Sequence, residues 1–153
     1  LSSHGVKMMK AMNVDFLDAH DRHWDDAELL FNAKRWANAD HLYGLAAECG
    51  LKRLMAAFGM KINAATGAPA AKVDWVHVGS GNGQDLWSRY GSYCQGRWAT
   101  VYALPAQNPF NNWNVAQRYA HQNNFSQGIV DPHREGAEAV YQLIQKAKIG
   151  GLI

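Results

Sequence analysis

Residues 74–87, DWVHVGSGNGQDLW, alternate around Val76 and Val78 and then place three glycines within five residues. Two readings compete. As a strand feeding a glycine-rich loop, the stretch would cradle a nucleotide or methyl donor, and it would need a parallel sheet with further strand and helix units beside it. As a connection between helices, it needs only a capping residue near Asn82 or Asp85. The flanking sequence separates the two: both neighbours carry helical periodicity, and no later run of alternating β-branched residues can supply a sheet. The linker reading leads to an all-α chain.

Working outward toward the start of the chain, Leu17, Trp24, Ala27, Leu30 and Phe31 recur at helical spacing between Val14 and Lys34, with acidic residues mostly opposite them. Asp15 and Asp18 suit the positive N-terminal end of that helix. After a short break at Arg35–Asn38, ADHLYGLAAECGLKRLMAAFG is apolar on nearly every side and closes at Gly59, a left-handed cap; such a helix belongs at the centre of a core. Residues 60–84 form a long irregular connection rich in Ala, Gly and Pro.

Toward the other end, a third helical pattern runs from Asp85 to about Ala103 through Leu86, Trp87, Tyr90, Cys94, Trp98 and Val101, weakened by Gly91 and Gly96 at about 1 kcal/mol each. PAQNPFNNWN (residues 105–114) breaks it with prolines and asparagines that favour turns. In the final helix Asp131 is placed to cap, Pro132 to occupy the first helical position, and Val140, Leu143, Ile144 and Ala147 to form the buried stripe before Gly150. The expected fold is therefore an all-α, four-to-five-helix up-and-down bundle. Its expected limits are a flexible segment at 1–12, one domain at 13–149 and a tail at 150–153.

At 153 residues the chain has room for one core. Its 48% apolar and 18% charged residues exclude a disordered protein, and a net charge of +2 gives no electrostatic footprint for nucleic acid beyond what a local cluster could make. Cys49 and Cys94 lie in apolar segments without CxxC spacing, as in a reducing cytoplasm. No apolar run reaches the roughly 18 residues of a membrane span, so no membrane partner is expected and the predicted location is cytoplasmic.

Three constellations carry chemistry. His20 and His23 lie one helical turn apart near Asp21 and Asp25, but an HxxH without a second cluster is an incomplete metal site, and His20 falls on the apolar stripe; no metal and no cofactor are expected. Glu48 and Lys52 are, with Arg53, the only charges of the second helix between His41 and Lys61; they either mark its wet edge as an i,i+4 pair or, if buried, hold a functional group. In WNVAQRYAHQNNF (residues 113–125), Arg118 can hold a phosphate and His121 can move a proton near neutral pH, with Tyr119 and Asn123 beside them. A structural alternative has Arg118 tying back to Glu48.

WANADHLYGLAAECGLKRLM (residues 36–55), with Arg35-Trp36, Ala39, His41, Ala46, Ala47, Glu48 and Lys52, resembles the signature of the HEPN family, the higher eukaryote and prokaryote nucleotide-binding domains. The likeness extends more loosely to His77 and to Trp113, Arg118 and Tyr119 before the last helix. It implies a small helical bundle, often dimeric, found in toxin–antitoxin and other defence systems and beside nucleotidyltransferases. Many such domains are metal-independent ribonucleases that use an Arg and a His near the last helix. The residues in that region are Arg118 and His121, closer together than the family's usual spacing; Arg35 and His41 have that spacing but lie at the junction of the first two helices.

The resemblance implies nucleotide or RNA binding within a toxin–antitoxin or defence module, by a homodimer, with a cognate nucleotidyltransferase or antitoxin as a possible partner. Arg118 and His121 are the catalytic candidates; Tyr119, Asn123, Glu48 and Lys52 are the nucleotide- or RNA-binding candidates. The alternative is a non-catalytic interaction module such as an antitoxin, immunity protein or scaffold. A small methyltransferase using GSGNG, which resembles the first motif of that family, is the third reading.

Overall fold

The computed structural model describes residues 12–79 and 85–153. The described residues form five α-helices, α1 (Phe16–Asn32), α2 (Trp36–Ala57), α3 (Leu86–Tyr93), α4 (Arg97–Val101) and α5 (Gln127–Ile149), with short 3-10 turns at Lys72–Asp74, Val115–Tyr119 and Gln122–Asn124. Among the described residues there is no strand, only an isolated antiparallel bridge between Ile62 and Pro69. The Val73–Val78 stretch is a 3-10 turn followed by irregular chain, which removes the sheet that a cofactor loop would need. Ser80–Gln84, and with them most of GSGNG and the cap reading at Asn82, lie outside the described residues, as do residues 1–11.

The helix ends follow local chemistry. Asp15 caps α1, its carboxylate accepting from the Asp18 N–H at 3.0 Å, and Asp85 caps α3 in the same way on Ser88 at 2.9 Å. At the end of α2, Gly59 has φ +118°, and the Gly59 and Met60 N–H groups return to the Ala56 and Met55 carbonyls at 3.2 and 2.9 Å. That pair of bonds is a Schellman closure.

The three long helices form the centre of the core, and Leu86, Trp87 and Tyr90 of α3 with Phe110 and Trp113 complete it. Only Ala33–Arg35 separate α1 from α2, so the two run antiparallel, and α2 lies between α1 and α5. Pairings such as Asp40 with His133 and Gly50 with Val140 show α5 running parallel to α2. The long connection, with α3 and α4 in it, carries the chain back to the end where α2 began. Phe58 at the tip of α2 is roofed by Tyr90, Trp98 and Tyr102, at 5.0 to 5.8 Å between ring centroids. Ala46, Ala47, Leu51, Leu54 and Met55 of α2 are fully buried, as its all-round apolar pattern requires. Gly50 permits the close crossing, since a Cβ there would stand 2.6 Å from Val140 and 2.7 Å from His20.

Three expected boundaries differ. The single helix expected from Asp85 to Ala103 is two, because Gly96 takes φ +60° and ψ −130°, a conformation open to glycine, and breaks it after Tyr93. The second helix begins at Trp36 rather than after Asn38. The last begins at Gln127, so Asp131 does not cap it and Pro132 sits inside it. Pro132 denies a hydrogen bond to the Gly128 carbonyl, but Gly128 is exposed to water, and burial of Val130 and His133 holds the extra turn in place. After α5 the chain turns at Gly151 and lays Leu152 and Ile153 back against the core.

Candidate functional site

His41, Leu45, Glu48 and Lys52 follow one another at i, i+4, i+7 and i+11 and so share one face of α2. Glu48 and Lys52 are 8% and 7% exposed, which places them in the interior rather than on a wet edge. A buried carboxylate needs partners. Glu48 Oε1 accepts from His77 Nδ1 at 2.9 Å, and its Oε2 stands 3.6 Å from the Lys52 ammonium. His77 comes from the irregular connection, where the Leu86 N–H holds its carbonyl at 2.9 Å and leaves the ring half-exposed.

The two histidines of this edge are shifted in opposite directions. The hydrogen bond to Glu48 raises His77 above the ordinary imidazole value, more than burial, Lys52 and Arg118 lower it. Burial lowers His41, and the Arg118 charge lowers it further against the opposing pull of Asp40 and Glu48. His41 stacks on Trp113 with ring centroids 5.9 Å apart, and its Nδ1 is buried without a hydrogen-bond partner among the described residues. Arg118 is thus electrostatically felt by both rings. Two imidazoles with separated proton affinities, within the electrostatic reach of a guanidinium, are groups that general acid–base chemistry at a phosphate uses.

The other sequence-derived residues are distributed as follows. Arg118 is exposed, donates to the Val115 carbonyl at 2.8 Å and lies 4.7 Å over the ring of Tyr119, which is also exposed. It makes no hydrogen bond to Glu48, whose partners are His77 and Lys52, so the tie between them is not formed. His121 is exposed; its Nδ1 accepts the Asn123 N–H at 3.1 Å and caps the Gln122–Asn124 turn. No hydrogen bond joins His121 to Arg118. Asn123 instead lines a cleft of about 510 Å³ with Gln122, Lys34, Arg35 and Asn38, which brings the 120–125 segment against the α1–α2 junction. His20 is fully buried with Nδ1 on the Ala46 carbonyl at 2.7 Å, the core histidine its position on the apolar stripe suggests. Among the described residues no group of three or more His, Cys, Asp or Glu is arranged to hold a metal.

Sequence reasoning overlooked the polar network behind this edge. Asp40, fully buried, meets His133 Nδ1 with one oxygen at 2.5 Å and the Gln117 amide with the other at 2.6 Å, while His133 Nε2 meets Asn112 Oδ1 at 2.6 Å. The Trp113 indole N–H donates to the Asp40 carbonyl at 3.0 Å. These bonds anchor the segment that carries Arg118 to α2 and α5. The signal was Asp40 itself, an acid near the start of a mostly apolar helix, and nothing in the spacing pointed to a histidine 93 residues away. A second overlooked tie is Arg134 of α5 gripping Glu28 of α1 through two bonds of 2.9 and 3.0 Å, with Tyr43 of α2 donating to the same carboxylate at 2.7 Å.

Compared with protein-family models, with curated proteins and with solved structures, the chain matches none of them. Among the described residues no helix is long and apolar enough to cross a membrane.

Proposed function

We propose that the protein is an RNA- or nucleotide-binding helical domain of HEPN type that cleaves RNA without a metal at the polar edge of α2. The observation that supports the reading is His77 held on the buried Glu48–Lys52 pair, on the same face of α2 as His41, with the Arg118 charge acting on both rings. In this reading Arg118 and Lys52 neutralise the phosphate. His41 takes the proton of the 2′-hydroxyl, whose oxygen then bonds to phosphorus, and His77 gives its proton to the departing 5′-oxygen. The products are a 2′,3′-cyclic phosphate and a free 5′-hydroxyl. Glu48 acts through His77, orienting the ring and favouring its protonated form.

The resemblance of residues 36–55 to HEPN domains supports the same class and is the sole support for a place in a toxin–antitoxin or defence module. His121, held as a turn cap, and Asn123, in the neighbouring cleft, are assigned to contacts with the strand rather than to proton transfer.

The test is incubation of the purified protein with RNA in the presence of a chelator. Cyclic phosphate ends that vanish in Arg118→Ala and His77→Ala, and persist in His121→Ala, support the assignment. Loss in His121→Ala with retention in His77→Ala would reverse the roles of the two histidines. A non-catalytic interaction module is favoured by one observation: Leu29, 69% exposed, joins Leu30 and Leu42 around an open hollow on the outer side of α1 and α2. Intact RNA together with self-association lost in Leu29→Glu would select that reading.

A further inference from the structure

A shallow groove of about 350 Å³ opens beside the polar edge, walled by Phe16, Pro69 and Trp75 and bordered by Lys52 and His77. Three features distinguish it from an incidental hollow. Trp75 is 57% exposed, yet its indole N–H donates to the Pro69 carbonyl at 2.7 Å, so the ring is presented to solvent in a fixed orientation. Lys52 is nine-tenths buried, and its ammonium, with three donors, makes no hydrogen bond among the described residues. Its nearest carboxylate oxygen is 3.6 Å away, and the other oxygen of that carboxylate is occupied by His77. The Phe16 ring lies below the same ammonium, 5.9 Å from its centroid.

We infer that this groove is a base-stacking subsite for one unpaired nucleotide, with the base on Trp75 and the phosphate on Lys52 and His77. The inference rests on the RNA-binding reading above and adds to it where the strand is held. A volume near the lower end of small-ligand sites, about 300–1,000 Å³, suits a single nucleotide. An aromatic wall accepts any base, because every base has a π-face, while an under-bonded cation beside it selects a phosphate-bearing ligand over a neutral aromatic one. The subsite adjoins His77, so a nucleotide seated there sets its phosphate against the proposed proton donor.

The experiment measures binding of a short single-stranded RNA by anisotropy and of adenosine monophosphate by calorimetry, for the unaltered protein, Trp75→Ala and Trp75→Phe. Losing one base–aromatic stack weakens both ligands about ten-fold in Trp75→Ala, and Trp75→Phe restores most of the affinity. RNA binding that is equal in the unaltered protein and Trp75→Ala overturns the subsite and leaves the RNA-binding reading standing. Trp75-dependent binding of the mononucleotide without any binding of RNA keeps the groove and overturns the RNA reading. No binding of either ligand overturns both. Independently of any substitution, the Trp75 indole N–H resonance must shift on titration with the mononucleotide; an unmoved resonance refutes the proposal.

Discussion

Replacing His133 by leucine tests the buried pair that joins α5 to α2 beneath the Arg118-bearing segment. In the native structure Asp40 is fully buried, with one carboxylate oxygen on His133 and the other on Gln117. His133→Leu keeps a similar volume against Phe110, whose ring stacks on the imidazole at 5.4 Å, so little of the loss arises from packing. What remains is a buried acid with one amide partner. Breaking a buried pair from one side costs about 3–5 kcal/mol, a large share of the roughly 5–15 kcal/mol that stabilises a domain. In urea unfolding, where the slope is about 1–3 kcal/mol per molar, the midpoint should fall by about 1 M or more at unchanged slope. The double variant Asp40→Leu with His133→Leu removes both members. Gln117 is only partly buried and Asn112 is exposed, so water can replace their lost partners, and the double variant should lose at least about 2 kcal/mol less than the sum of the single variants. A single-variant loss below about 1 kcal/mol, or simple additivity, would refute the claim that this pair ties α5 to α2.

Gly44 faces Trp113 so closely that a Cβ would lie 1.9 Å from the indole, so Gly44→Ala should destabilise by about 1–3 kcal/mol although alanine is the better helix former by about 1 kcal/mol; a more stable variant would mean that Trp113 repacks freely. Because the Glu48 hydrogen bond raises His77 above 6.5, its stabilisation is fully present below pH 6.5 and is lost as pH rises through the raised value. The difference in melting temperature between the protein and His77→Gln should therefore shrink from pH 6 to pH 8.5, and a gap that widens would show the sign to be wrong. His20, lowered chiefly by burial, acts in the opposite sense, so stability shared by both proteins should fall as pH drops below 6.5. Burial pushes the Cys49 thiol up to about 12, and mass spectrometry after iodoacetamide treatment at pH 8 should find it unmodified until the protein is unfolded.

The sequence by itself determined the helical class, the central place of α2 and the presence of Glu48 and Lys52 within its apolar run. Those properties follow from periodicity and composition: an apolar pattern on nearly every side of residues 39–58 must be buried, and no β-branched alternation exists to build a sheet beside Val76 and Val78. The caps at Asp85 and Gly59, and an acid at Asp15 to suit the start of α1, were legible for the same reason, because a helix end is satisfied by atoms within a few residues. The tertiary structure decided the rest. The start of α5 follows from the burial of Val130 and His133, which overrides the local preference of Pro132 for a first turn. The partners of Glu48 and Asp40 lie 29 and 93 residues away, and no spacing rule reaches that far. Whether Glu48 and Lys52 formed a solvated pair or a buried one depended on which segments cover that face of α2. Burial is a property of the assembled chain, and the separation of His41 from His77 in proton affinity arises from burial and from neighbours brought in by the fold.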